Sequence, residues 1–243
     1  MNSLSKFGVV VGLLMPTFFA NSALVLHGTR FIYKQEANAI PVTVENNAKE
    51  KYGAQFWIEN SDDTPDIPFA VNPSMFTVDP NNGRHVVQVS QMQTDSLATD
   101  RESLFTINLQ EIPPTPKSDG LSNNQFVMAT RTIVKLLYRP SELGVERQDA
   151  ESNIKLLRKN GQVYMENPTP FYFAIIAIND DRTLVNDSLT TMTPFSSVPL
   201  KSLRTQDTKL SFSSIDDYGG VRQYDCDMRA TEGSQCTFSE SKR

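Results

Sequence analysis

From Ala23 onward the chain is built of short runs in which apolar and other residues alternate, rich in Val, Ile, Phe and Tyr. Ile40-Pro41-Val42-Thr43-Val44 ends at the polar Glu45-Asn46-Asn47, and Gln55-Phe56-Trp57-Ile58-Glu59-Asn60 carries the only tryptophan. Residues 85–89, 103–112 and 125–139 continue the series, with Asp79-Pro80-Asn81-Asn82-Gly83 as a clear turn. No segment sustains an amphipathic helical period over a dozen residues. Seven or so strands in about 115 residues predict an immunoglobulin-like sandwich. A second set follows Arg139-Pro140, with strands predicted at 154–157, 162–166, 171–178, 209–212 and 220–224. Pro140 cannot donate to a ladder and disfavours helix at Arg139, so the chain changes character there. The expectation is an all-β protein of two immunoglobulin-like sandwiches at residues 23–139 and 140–243. They are joined by a short linker, and clefts at such junctions favour binding.

The N-terminus reads as a targeting signal. Lys6 supplies a positive charge, residues 7–20 form an apolar core, and Ala20-Asn21-Ser22 fits a small-x-small cleavage site. That core is shorter than the roughly 20 residues a bilayer span needs. Residues 1–22 are therefore expected to be removed, leaving a secreted chain that does not span a membrane.

Composition excludes several classes. A charged fraction of 21% and a net charge of −5, with no basic run, leave no electrostatic footprint for nucleic acid. No phosphate loop, dinucleotide fingerprint or Gly-x-Ser-x-Gly elbow is present. The two histidines, His27 and His85, offer no convincing catalytic base, and Asp180-Asp181 and Asp216-Asp217 read as turn acids. No enzyme, metal or cofactor is expected. Cys226 and Cys236 are the only cysteines, and in an exported chain so close a pair reads as a disulfide.

The strand at 125–139 is unusually long for a sheet element. One face would carry Phe126, Met128, Thr130, Thr132, Val134, Leu136 and Tyr138. The other carries Val127, Ala129, Ile133 and Leu137, broken by Arg131 and Lys135. A first half that is apolar on both faces fits a central, doubly covered strand. It fits equally an edge kept apolar for addition to a partner's sheet.

Six blocks in order resemble the periplasmic pilus chaperones of the PapD-like family. They are Thr29-Arg30-Phe31-Ile32-Tyr33, the Gln55 to Asn60 strand, Asp100-Arg101-Glu102-Ser103-Leu104-Phe105 with Ile112-Pro113-Pro114, and Lys135-Leu136-Leu137-Tyr138-Arg139-Pro140. Asn167-Pro168-Thr169-Pro170-Phe171-Tyr172 and Ile215-Asp216-Asp217-Tyr218-Gly219 complete the series. The resemblance implies that Arg30 and Lys135 bind the C-terminal carboxylate of an incomplete pilin at the cleft base. It implies that Phe126, Met128 and Thr130 enter the pilin groove, and that Glu102, Arg139 and Asp217 form an interdomain ion network. Lys135 has the opposite parity to Phe126, so either the strand bulges or the two contacts use different faces.

Thr130 stands where larger apolar residues are common, Gln88 where arginine is frequent, and Thr106-Ile107 lacks a common aromatic. The moderate length of residues 115–124 resembles the short-loop branch. The implied partners are pilus subunits and an outer-membrane usher, in the periplasm of a Gram-negative bacterium. A free apolar edge also invites self-capping oligomers of the unliganded protein. The rival reading is a structural fimbrial subunit or adhesin, itself a β-sandwich.

Overall fold

The computed structural model describes residues 22–61, 67–92, 97–115, 127–201, 207–229 and 234–239. The first sandwich opens with β1 (Leu24–Leu26), β2 (Arg30–Lys34), β3 (Ala39–Asn46) and β4 (Tyr52–Asn60). It continues through β5 (Phe69–Asn72), β6 (Met75–Val78), β7 (Gly83–Gln91), β8 (Ser103–Ile112) and β9 (Arg131–Arg139). One sheet has the order β1-β3-β7-β5, the other β2-β9-β8-β4-β6. Alternation explains the packing: Val42 and Val44, Phe56 and Ile58, Val87 and Val89, Ile107 and Leu109 all turn into one core. Burying each such side chain stabilises the fold by about 1.5–3 kcal/mol. Tyr33, Phe69, Phe105 and Tyr138 form an aromatic cluster at one end, with ring centroids 5.0 Å apart for Phe69 and Phe105.

The chain changes sheets at His27-Gly28-Thr29. β1 pairs antiparallel with β3, whereas β2 pairs parallel with β9. Gly28, at φ 152°, takes a backbone angle that side-chain-bearing residues rarely adopt, which permits the crossing. β2 covers only the second half of β9, from Lys135 to Arg139.

The second sandwich holds β10 (Lys155–Lys159), β11 (Gln162–Asn167), β12 (Ile175–Ile178), β13 (Ser196–Leu200), β14 (Lys209–Ile215), β15 (Val221–Asp227) and β16 (Gln235–Ser239). A single turn of helix, α1 (Asp187–Thr190), lies between β12 and β13. The sheets run β10-β11-β13 and β12-β14-β15-β16 around Met165, Phe171, Phe173, Ile175, Phe212 and Tyr224. Cys226 and Cys236 face each other across the β15–β16 ladder and are bonded.

Two strand expectations need correction. The strand expected at 125–139 begins only at Arg131, because its partner β8 ends at Ile112 and the final contact is Glu111 N–H donating to Thr130 O at 3.0 Å. Residues 127–130 have no ladder, and Phe126 lies outside the described residues. The run expected at 171–178 is a strand only from Ile175. Its first part is tied by the fully buried Asn167, whose amide donates to Phe171 O and Thr193 O while its Oδ1 accepts from Thr169. Pro168 and Pro170 remove two ladder donors from the same stretch.

Candidate functional site: an interdomain cleft and an uncovered strand edge

Arg30 opens β2 and Lys135 sits mid-way along β9, and the parallel register makes them direct partners. Both project from the sheet face opposite the first core and reach the second sandwich. Arg30 Nη1 donates to Ile215 O at 2.8 Å. Lys135 Nζ donates to Thr190 O at 2.6 Å and to Thr191 Oγ1 at 2.7 Å. Burial, reinforced by the nearby Arg30 charge, pulls the Lys135 pKa down to about 8. Burial also lowers that of Arg30, against the opposing pull of Asp217. Two partly desolvated cations side by side are poised for an anion, and a carboxylate suits the Arg fork.

Beneath them runs a chain of buried ions. Glu102 accepts from Arg139 Nε at 2.7 Å and from the backbone of Tyr172 at 2.8 Å. Arg139 Nη1 donates to Asp217 at 2.7 Å, and Arg147 continues to Asp217 and, at 2.9 Å, to Glu151. Arg139 and Arg147 flank the Phe171 ring. Asp217 is held below the usual carboxylate range: Arg139's hydrogen bond and charge outweigh its burial. Glu102, Arg139 and Asp217 thus meet across both sandwiches. Arg147 and Glu151 were not anticipated. Their i, i+4 spacing of opposite charges just past Pro140 was the available signal. Asp216 instead ties the neighbouring turn by accepting from the N–H groups of Tyr218 and Gly220. A groove of about 930 Å³ lies on the linker side of this network, away from Arg30 and Lys135.

The edge of β9 completes the site. Thr130 O bonds towards β8, whereas Lys135 N–H donates to Thr29 O and Arg139 O accepts from Gln35 N–H on the β2 side. Backbone groups alternate direction along a strand, so those of Arg131 and Ile133 point to the side β2 leaves bare. Among the described residues no strand pairs with that side of the stretch. The β8–β9 register runs unbroken from Gln110–Arg131 to Ser103–Tyr138. No bulge intervenes, so Lys135 and the even-numbered positions occupy opposite faces.

The even face is the core face, with Leu136 and Tyr138 buried and Val134 at its rim. Thr130 lies at its end, its hydroxyl 3.3 Å from that of Ser22, beside the Glu111 carboxylate that accepts from Ser22 Oγ and Leu24 N. Val127 and Met128 beyond it are more than half exposed. Of the other residues singled out, His27 pairs with Glu45, His85 stacks on Phe76, and Gln88 is exposed on β7. Among the described residues no cluster of His, Cys, Asp or Glu could hold a metal, and no helix is long and apolar enough to cross a membrane.

These features define a two-sandwich protein with an unfinished strand edge leading to a cationic cleft. The chain belongs to the pilus assembly chaperone family: residues 23–144 match the pili and flagellar-assembly chaperone PapD N-terminal domain, and residues 149–226 the PapD C-terminal domain. It is 35% identical over 228 residues to the chaperone protein FanE of Escherichia coli, covering 91% of this chain and 97% of that protein. It is 31% identical over 238 residues to the chaperone protein FaeE of Escherichia coli, covering 96% and 90%. Among solved structures it is similar to the E. coli chaperone DraB, with a TM-score of 0.69 at 25% identity, covering 86% of this chain and 97% of that one.

Proposed function

We propose that the protein is a periplasmic chaperone that binds pilus subunits lacking a strand, keeps them folded by lending its own, and delivers them to an outer-membrane usher. The observation that carries this reading is the bare edge of β9 at residues 131–134, which ends where Arg30 and Lys135 meet. A subunit strand running parallel to β9 along that edge would lie in line with β2 and bring its C-terminal carboxylate to the two cations. Its backbone would satisfy Arg131 and Ile133, while the face continuing from Val134 through Thr130 and Met128 to Phe126 would fill the subunit's open groove. The chaperone names of the relatives and the pili-assembly description of the matching family support the same function. The ion chain from Glu102 to Glu151 would set the angle between the domains, which we place at residues 23–139 and 140–243 after removal of residues 1–22. Exchange needs no nucleotide, because an incoming subunit's extension competes for the same groove.

The test is co-expression with the subunits of its own fimbrial gene cluster, followed by periplasmic extraction. A chaperone remains soluble in the periplasm and co-purifies with subunits, whereas a fimbrial subunit enters surface fibres. Arg30→Ala and Lys135→Ala should abolish recovery of the complex while leaving a folded protein, since removing one partner of a desolvated charge pair costs about 2–5 kcal/mol of binding. Undiminished complex from the double variant would overturn the reading.

A further inference from the structure

Thr190 and Thr191 belong to the second sandwich, yet they hold the cation contributed by the first. Thr190 ends α1, where helix carbonyls lack intrahelical partners, so the Lys135 ammonium meets an acceptor in need of a donor. Thr191 is fixed through its own N–H, which donates to Asp187 O at 3.0 Å. Its hydroxyl oxygen accepts from Lys135 at 2.7 Å, and its hydroxyl hydrogen has no acceptor among the described residues. A hydroxyl that accepts from a cation is polarised into a better donor.

We propose that Thr191 is the third ligand of the carboxylate site, donating its hydroxyl hydrogen to a subunit's C-terminal carboxylate held between Arg30 and Lys135. This rests on the reading of those two cations given above. The donor count allows it. An ammonium carries three N–H groups, and Lys135 directs two of them at Thr190 and Thr191, leaving one. Among the described residues Arg30 commits only Nη1. A carboxylate offers about four acceptor positions, enough for one donor from each of the three residues. Two donors come from the first sandwich and one from the second, so an occupied site ties the domains together at the cleft.

The experiment uses the full mature chain and a synthetic strand peptide of alternating apolar residues, ending either in a free carboxylate or in an amide. Titration calorimetry on the wild type, Thr191→Val and Thr191→Ser reads the acid and amide affinities, with thermal melting as the control for folding. Thr191→Val should weaken the acid peptide about tenfold, the effect of one hydrogen bond to a charged group. Thr191→Ser should stay close to the wild type, and neither substitution should change binding of the amide. Wild-type affinity of Thr191→Val for the acid, or equal losses for acid and amide, overturns the proposal. Arg30→Ala and Lys135→Ala separate the two levels. If they abolish the preference for acid over amide while Thr191→Val retains it, only the role of Thr191 falls. If none of the three alters that preference, the carboxylate reading falls as well.

Discussion

Arg30 and Lys135 are partners across a parallel ladder, so two cations share one sheet face. The folded protein releases the Lys135 proton at about pH 8, against 10.5 for an unperturbed lysine. Between those values the unfolded chain binds more protons than the folded one, so this residue's contribution to stability rises with pH across that window. On the proposed function carboxylate binding follows the opposite course, because the ammonium would be its partner. Subunit capture should weaken as pH rises above about 8, and Lys135→Arg should flatten that profile, since a guanidinium stays charged. Pull-down yields between pH 6.5 and 9.5, roughly spanning the range set by these titrations, would decide it. A profile identical in both proteins would remove Lys135 from the site.

The buried ion chain should be costly to break. Arg139→Ala leaves Glu102, which is almost fully buried, without its counter-ion, and leaves Asp217 its longer contact with Arg147. Losing one member of such a group typically destabilises by about 3–5 kcal/mol. Denaturant unfolding should show that loss, and small-angle scattering should show a changed domain angle. Arg229→Ala removes an exposed ion pair with Asp227 and should leave both measurements unchanged.

Cys226 and Cys236 should yield no titratable thiol in denatured, unreduced protein from the periplasm. Closing a loop of this length restricts the unfolded chain by roughly 3 kcal/mol. Reduction should therefore lower the melting temperature of the second sandwich, while subunit binding changes only as far as stability does.

Met128 is more than half exposed and touches neither core, so Met128→Glu should leave melting of the free protein unchanged and destroy complex formation. Phe126→Glu is expected to behave alike. Each side chain should contribute about 1.5–3 kcal/mol when buried in a partner. Thr130→Ala should be nearly silent in binding, and Thr130→Leu should change which subunits are accepted. Loss of the free fold in Phe126→Glu would place that ring in the chaperone's own core.

Much of this architecture was legible because strands such as β4 and β7 alternate between a core face and an outer face. The over-long reading of β9 has a physical origin. Val127, Met128 and Ala129 have strand-like, apolar character, but among the described residues no strand pairs with them. On the proposed function, their sequence encodes the bound state. Phe171 and Phe173 misled for another reason: they are buried from an irregular segment organised by Asn167, so burial occurred without a ladder. β13 carries Pro199 and was not recognised as a strand. The contact of Lys135 with Thr190 and Thr191 joins residues more than 50 positions apart, and no local pattern announces it.

The bare stretch of β9 ends where β2 begins, and on the proposed function this makes the cleft a ruler. A strand anchored by its carboxylate at Arg30 and Lys135 has its phase fixed from that end. One extra residue before the terminus would turn every side chain to the wrong face, because strands repeat every two residues. Two extra residues would restore the faces but shift each side chain along the groove by one pocket. The chaperone would thus measure the distance between a subunit's last residue and its groove. Subunits that share that distance could share the chaperone whatever their surfaces look like.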